Sequence, residues 1–398
     1  MTERFPRDAL VPLAGTFAIQ IVVSGAMFGV AVITPVAAPD VGVTPTLIGA
    51  YMAVAYGIGM VAGLVTGPLS RRFGLIPMCQ ATMVLVLLGT LVLAIGSPGA
   101  VMLSAVVLGA SYGPVNPLTT DILASVASDR WRPLIISIKQ TGMPAGAAVA
   151  GLSLPYLSGR IGWQGAMLLF GIVALTVAVL VHPLSARFAR PATSPEPFEP
   201  RRLLSPCRLI WENKRLRRLG IAGFLFAGCQ VSIASYFVVF VTGNLALSLG
   251  AAGALYTVLQ LSGVAGRLAS GSIAGWIASG AAVLSCIAIG SAAMTLLAGL
   301  AVPASPLWLL AAGAALLGVT SHGWNGVYYA EVAKIAPNGL IGDAASGVQF
   351  TSLAGVASIP PLFGLIAYTA GYPAAFVAVA MGLLLGGWTL RPWLSRPE

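Results

Sequence analysis

The chain has 398 residues, of which 58% are hydrophobic and 8% are charged, and its mean hydropathy is +0.92. A soluble domain carries about 25% charged residues, so this composition excludes a soluble enzyme or binding protein and indicates an integral membrane protein. The formal net charge of +10 would favour a nucleic-acid partner in a soluble chain, so its distribution along the sequence decides its meaning.

Twelve apolar stretches are each long enough to cross a hydrocarbon core of about 30 Å. Their hydrophobicity is continuous, without the period-two alternation of a membrane β-barrel. We therefore predict an all-α polytopic membrane protein with two pseudo-symmetric six-helix bundles, residues 1–183 and 219–398, joined by a basic connector at 184–218. The predicted spans are 11–38, 44–68, 76–96, 99–124, 133–157, 163–183, 219–243, 250–276, 281–302, 306–333, 342–368 and 373–392.

The basic residues are distributed very unevenly between the two sides of these spans. With the N-terminus inside, 18 of the 21 Lys and Arg residues fall in cytoplasmic segments, Arg160 lies outside, and Lys139 and Arg267 lie within spans. Short loops rich in Lys and Arg stay cytoplasmic, so both termini are predicted to face the cytoplasm of a bacterial inner membrane. The net charge is thus a topology signal, and no nucleic-acid partner is expected.

The connector divides into two parts. Pro191, Pro195, Pro197 and Pro200 predict an extended linker in its first part. The following RRLLSPCRLIWENKRLRRL predicts either an interfacial amphipathic helix that meets anionic headgroups or a solvated basic loop that only fixes the topology.

The two halves of the chain resemble each other at several positions, which indicates duplication of a six-helix unit. Parallel repeats of this kind bind substrate near the bilayer midplane, where the halves meet. An offset of 209 places Ser137, Gln140, Gly146, Gly162 and Ala166 on Ser346, Gln349, Gly355, Gly371 and Ala375. An offset of 210 places Gln20 on Gln230 and Asp121 on Glu331.

The stretch GPLSRRFGLI follows span 2. It resembles the G-x-x-x-D-R-x-G-R-R loop of the major facilitator superfamily at Gly67, Arg72 and Gly74, whereas Arg71 stands at the acidic position. With twelve spans, the basic central connector and the repeat, the whole chain resembles this superfamily of secondary transporters. The resemblance implies alternating access and a central cavity lined by spans 1, 4, 7 and 10.

Two further motifs are similar to those of a subgroup, the oxalate/formate and monocarboxylate carriers. GAAVAG in span 5, with Lys139 seven residues before it, looks like the span 5 motif of monocarboxylate transporters without its aromatic start. GRLASGSIAGW in span 8 is similar to their G-R-x-x-x-G-x-x-x-D-R, without the acidic-basic pair. The resemblance to the subgroup implies a carboxylate substrate.

Arg267 and Lys139 are the cations within spans, where an unpaired charge costs several kcal/mol. Arg267 lies nine residues before Trp276, about 13 Å inside the membrane. It is predicted to bind a substrate anion, with a structural ion pair or snorkelling as alternatives. Lys139 is a candidate for substrate or gate contact, but its long stem could also snorkel to the headgroups.

Neutral polar residues at similar depth complete the candidate substrate site. The alternative is ordinary hydrogen bonding between helices. On span 4, Tyr112, Asn116 and Thr119 share one face. The other candidates are Gln20, Gln140, Gln230, His322, Asn325, Tyr329 and Gln349.

The expected function is secondary active transport of a small organic anion, a mono- or dicarboxylate, by a monomer. A proton or a counter-anion is a possible coupling partner, and His322, Asp121 and Glu331 are the proton-coupling candidates. The alternatives are a drug or amphipathic-compound exporter and a transport-dead membrane sensor. No P-loop, zinc-ligand spacing or nucleophile elbow is present, so neither an enzyme nor a cofactor or metal site is expected.

Overall fold

The structure is a computed structural model and describes residues 6–128, 131–188, 200–276, 279–337 and 340–391. These residues are helical, with short 3-10 turns at Arg7–Ala9 and Pro45–Leu47, and contain no strand. The helices are α1 Leu10–Val41, α2 Ile48–Phe73, α3 Leu75–Ala94, α4 Pro98–Ala124, α5 Arg132–Gln140, α6 Gly142–Leu180, α7 Leu184–Arg187, α8 Pro200–Glu212, α9 Lys214–Gly243, α10 Leu249–Trp276, α11 Gly280–Gly299, α12 Leu307–His322, α13 Trp324–Ile335, α14 Ile341–Ala370 and α15 Tyr372–Thr389.

Eleven stretches of the described residues are long and apolar enough to cross a membrane. One of them, Leu134–Leu180, has 47 residues and would be about 70 Å long if straight, more than twice the hydrocarbon thickness. The chain turns within it at Gly162, whose φ of 73° and ψ of 161° are not helical. The stretch therefore supplies two crossings, and the all-α fold with twelve predicted spans is confirmed.

The Gly67–Gly74 motif does not form the predicted loop. α2 continues to Phe73, so Gly67, Arg71 and Arg72 lie in its last turns and only Gly74 links it to α3. Two cations at a helix C-terminus interact favourably with the exposed carbonyl groups, which explains why the helix extends past the predicted end. Gly74 has a φ of 92°, a conformation that only glycine adopts readily.

The connector forms more helix than predicted. Its residues 189–199, with three of its prolines, lie outside the described residues. The solvated-loop alternative is wrong for α8, because Ile210 is buried and α8 packs against α14. α9 begins five residues earlier than predicted, at Lys214, because Asn213 Oδ1 accepts hydrogen bonds from the backbone N–H groups of Arg215 and Leu216.

The described chain divides into two compact units. The first holds the residues up to Val43 and from Val54 to 188, and the second holds Thr44–Ala53 and the residues from 200 onward. In the first unit α1 packs along α6, and α3 packs against α4 and α6. In the second unit α9 packs on α14 and α15, α10 on α12, and α11 on α15. Within the second unit the Tyr236 hydroxyl donates to the carbonyl of Thr46 at 2.6 Å.

The repeat with an offset of 209 is visible in the backbone of both units. Gly162 and Gly371 share an unusual conformation, with φ of 73° and 84° and ψ of 161° and 165°. Gly146 and Gly355 also match, since a Cβ on either would collide with a carbonyl oxygen of the first helix of its own unit. The close approach of these helices therefore requires glycine at both positions.

The carbonyl oxygens that these two glycines approach belong to Ile21 in α1 and Phe224 in α9. The first membrane spans of the two halves, α1 and α9, are thus related by an offset of 203, which aligns Gln20 with Gly223. The predicted equivalence of Gln20 and Gln230 is therefore wrong.

Gly109 and Gly318 give the offset between the fourth spans of the two halves. Both glycines pack in the same way, against backbone carbonyls of α2 and α10 respectively, so these spans are related by an offset of 209. Asp121 then aligns with Ala330, so its predicted equivalence with Glu331 is wrong. The offset grows along the chain mainly because residues 300–306 link α11 and α12, whereas only 95–97 link α3 and α4.

Candidate functional site

The fifth predicted span is locally distorted at Thr141, where α5 ends and α6 begins, although Thr141 keeps a helical φ of −70° and ψ of −13°. Pro144 contributes to this distortion, because it has no N–H to donate to the carbonyl of Gln140 one turn earlier. The distortion directly follows Lys139 and Gln140, two of the predicted site residues.

Lys139 forms the centre of a polar cluster in the first unit. Its Nζ donates to Asn116 Oδ1 at 2.6 Å and lies 3.3 Å from Thr120 Oγ1. Gln140 Nε2 donates to the same Asn116 oxygen at 3.1 Å. These four residues, the Lys139 cluster, join α4 to α5.

The Lys139 side chain is 0% exposed, and no carboxylate of the described residues forms a salt bridge with it. The predicted alternative of snorkelling to the headgroups is wrong, since the ammonium is directed at the polar face of α4. An ammonium in a span costs several kcal/mol unless it is paired or hydrogen-bonded, and here neutral oxygens satisfy its hydrogen bonds without supplying an opposite charge.

The polar face of α4 includes Thr120 and not the predicted Thr119. Thr119 is buried, and its hydroxyl donates to the carbonyl of Val115 at 2.6 Å, so Thr120 takes its place in the cluster. Tyr112, one turn before Asn116, donates from its hydroxyl to Met143 Sδ at 3.2 Å. The sequence signal for Thr120 is its spacing, because it lies four residues after Asn116 and therefore on the same face.

Gln20 on α1 lies beside the start of α6, where its side chain packs against Gly142. It is buried, and its Nε2 donates to Ser24 Oγ at 3.3 Å. Its Oε1 has no hydrogen-bond partner among the described residues. The buried acceptor can therefore take a hydrogen bond from water or from a ligand hydroxyl.

The second unit is distorted at a different place, at Gly323 between α12 and α13, in the span that the offset of 209 aligns with α4. The Gly323 carbonyl accepts a hydrogen bond of 2.5 Å from Ser270 Oγ of α10. Next to it, Trp324 Nε1 donates to Gln230 Oε1 at 2.8 Å. Sequence reasoning missed Trp324, although it lies directly before the predicted Asn325.

The Lys139 cluster has a neutral counterpart in the second unit. The offset of 209 relates Asn116 to Asn325, Thr120 to Tyr329 and Gln140 to Gln349. The Tyr329 hydroxyl donates to Gln349 Oε1, as the Gln140 amide bonds to Asn116 in the first unit. Lys139, however, aligns with Val348, which is fully buried. The positive charge therefore belongs to the cluster of the first unit alone, within the part of the chain that the structure describes.

Arg267 and His322 lie on neighbouring helices of the second unit. His322 is buried against Gly263 of α10, and its Nδ1 lies 3.0 Å from Ser321 Oγ and 3.2 Å from the Gly318 carbonyl oxygen. Arg267 lies one turn after Gly263 on α10 and is half-buried. A cation and a titratable ring are thus close together on the α10 and α12 pair.

The two acidic candidates for proton coupling occupy different environments. Glu331 is buried beside Gly280, and its Oε1 lies 2.9 Å from Lys334 Nζ, one turn later on α13. Asp121 is exposed near the end of α4. Neither belongs to the Lys139 cluster.

The sequence model of the Major Facilitator Superfamily matches residues 16–346, most of the chain. The chain belongs to the major facilitator superfamily. Two proteins from strains of Mycobacterium tuberculosis, both called uncharacterized MFS-type transporters, are 28% identical over 274 residues. This match covers 67% of this chain but only 59% of theirs, so the chain spans about three fifths of their length. A 4-hydroxybenzoate transporter of Acinetobacter baylyi is 28% identical over 160 residues, 39% of this chain and 35% of that protein.

Solved structures of other superfamily transporters share the fold. A bacterial homologue of the human lysosomal transporter Spinster has a TM-score of 0.79 at 14% identity, covering 99% of this chain and 100% of that one. The human organic anion transporter TETRAN has a TM-score of 0.70 at 17% identity, covering 96% and 99%. At these identities the likeness shows the major facilitator fold alone.

Proposed function

We propose that this major facilitator protein is a secondary active transporter that moves a small organic anion, a mono- or dicarboxylate, by alternating access. The observation that carries the proposal is the Lys139 cluster. It places a positive charge within a membrane span and surrounds it with neutral oxygens from Asn116 and Thr120. A substrate carboxylate would supply the missing negative charge.

An ammonium group removed from water needs both hydrogen-bond acceptors and an opposite charge. It has three N–H donors, and two of them are directed at Asn116 and Thr120. Neutral acceptors satisfy hydrogen bonds but leave the charge itself uncompensated. A ligand that compensates it in one conformation more than in another changes the balance between these conformations, which is what alternating access requires.

An exporter of cationic drugs would need a buried carboxylate for its substrate or for a coupled proton. Among the described residues Glu331 is the buried acidic side chain, and it is already paired with Lys334. The other described acidic residues are exposed. A carboxylate substrate is also supported by the relative named as a 4-hydroxybenzoate transporter, since that compound is a monocarboxylate.

The predicted orientation belongs to the proposal as well. The uneven distribution of Lys and Arg between the two sides supports a bacterial inner membrane with both termini in the cytoplasm. We also propose that the protein acts as a monomer.

Proteoliposomes that contain the purified full chain are expected to accumulate at least one member of a labelled panel of benzoate, 4-hydroxybenzoate, lactate, oxalate and succinate. Empty liposomes measure leakage, and a labelled quaternary ammonium compound tests the cationic alternative. Uptake should be measured with and without a pH gradient and with a counter-anion inside. Accumulation of the cation and of no carboxylate would contradict the proposal, and no movement of any solute would favour a transport-dead sensor.

If a pH gradient drives this uptake, we propose His322 as the group that carries the proton. It is a buried titratable side chain beside Arg267, whereas Glu331 is engaged by Lys334 and Asp121 is exposed near a helix end. His322→Gln is then expected to abolish the response to the gradient while anion exchange across equal pH continues. Full gradient-driven accumulation by the variant would remove His322 from the mechanism. Asp121→Asn serves as the matched control at an exposed site.

A further inference from the structure

Asn116 stands between the Lys139 ammonium and the surface of the described chain. Lys139 is 0% exposed, whereas Asn116 is exposed. A solute that approaches this face of α4 therefore meets the Asn116 amide before it can meet the ammonium.

The orientation of this amide is fixed by its neighbours. Lys139 can only donate, so the Asn116 atom 2.6 Å from its Nζ must be the amide oxygen and not the nitrogen. Gln140 Nε2 donates to the same oxygen at 3.1 Å. With its oxygen held by two donors, Asn116 directs its Nδ2 amino group, which has two N–H donors, away from Lys139.

The exposed side of Asn116 does not suit a lipid environment. A primary amide that faces hydrocarbon has no partner for its N–H groups, which is strongly unfavourable. Half-buried polar side chains lie one turn away on the same face of α4, at Tyr112 and Thr120. This face therefore suits a water-accessible path, along which the amide donors are available to a solute.

On the basis of the proposed function, we infer that the Asn116 amide is the group that contacts the substrate carboxylate, while Lys139 is a positioning residue. Lys139 holds the amide oxygen and contributes its positive charge from behind it. Two N–H donors in front of a cation form a site for an acceptor with negative charge, and they reject a solute that offers only donors. The second unit lacks this arrangement, because Val348 stands at the position of Lys139.

The test compares Asn116→Ala and Asn116→Asp in the full chain, with benzoate, 4-hydroxybenzoate and succinate as the probes. Asn116→Ala removes the donors and uncovers Lys139, and we expect it to weaken binding of the preferred probe roughly 10-fold or more. Asn116→Asp pairs with Lys139 and should fold normally, yet it presents a carboxylate to the anion and should weaken binding by on the order of 100-fold or more. Ser111→Ala is the matched control, because Ser111 is buried in the same helix and, among the described residues, its hydroxyl donates to the Leu108 carbonyl of that helix.

The outcomes separate the inference from the proposed function. If Asn116→Ala binds the probe as tightly as the unaltered chain or more tightly, Lys139 contacts the anion directly, and the inference is overturned while the proposed function stands. Asn116→Asp with unaltered affinity would likewise limit Asn116 to holding Lys139. If the unaltered chain binds none of the three probes, the proposed function fails and the inference fails with it. Loss of affinity in both variants, with normal thermal unfolding and normal binding by Ser111→Ala, supports the inference.

Discussion

Lys139→Val is expected to lower the affinity for the proposed carboxylate substrate by roughly 100-fold or more, because it removes both the buried positive charge behind the anion and the donor that holds the Asn116 amide oxygen. Valine is the informative replacement, since Val348 occupies the equivalent position of the second unit and is fully buried there. The variant therefore gives the first unit the neutral pattern that the second already has. Equilibrium binding to the purified protein measures the effect.

The folding of Lys139→Val should be normal or improved, because a buried ammonium without a carboxylate partner is costly in itself. Thermal unfolding and a monodisperse elution profile provide this control. Lys139→Arg keeps the charge but changes the donor geometry, so it should retain part of the affinity. A well-folded Lys139→Val protein that binds the carboxylate normally would remove the main support for anion transport.

Arg267→Ala is expected to weaken carboxylate binding by roughly 30-fold, on the same scale for the loss of a buried charge contact. The prediction follows from the place of Arg267 on α10, half-buried and one turn from Gly263, against which His322 packs. Arg267→Lys should rescue the affinity only in part, because an ammonium cannot form the bidentate contact of a guanidinium with a carboxylate.

A structural role for Arg267 makes a different prediction. If the guanidinium mainly holds α10 against its neighbours, Arg267→Ala should reduce the yield and the melting temperature and leave the affinity of the folded fraction unchanged. Binding must therefore be measured on protein that is shown to be monodisperse and inserted. Unchanged affinity in such a sample excludes Arg267 as an anion anchor.

Much of the architecture could be predicted from the sequence, because it depends on local hydrophobicity. The twelve spans follow from continuous apolar runs, and the match of Gly162 with Gly371 reveals the repeat through a backbone conformation that both positions require. The pairing of Gln20 with Gln230 was wrong for a related reason. Two matching residues cannot reveal that loops of different length have shifted the register between the halves.

The candidate site was harder to predict, since its contacts join separate helices. Asn116 and Lys139 are 23 residues apart, with the α4–α5 loop between them, and no local pattern shows that their side chains meet. The depth of Lys139 suggested that it could reach the headgroups, but the rotation of α5 turns its side chain toward α4. The choice between Thr119 and Thr120 likewise depends on the helix rotation, which periodicity defines only to within one residue.

The uncompensated ammonium of Lys139 has an electrical consequence. Moving one elementary charge through a membrane potential of 100 mV changes its energy by about 2.3 kcal/mol. In the proposed transport cycle, a monocarboxylate bound near Lys139 cancels the positive charge, and the potential exerts little force on the loaded carrier. The empty carrier keeps its positive charge, and a negative interior draws that charge toward the cytoplasm. The potential therefore opposes the step in which the empty site returns to the outside. With a dicarboxylate the loaded form carries a net negative charge, and the same potential then opposes its inward movement.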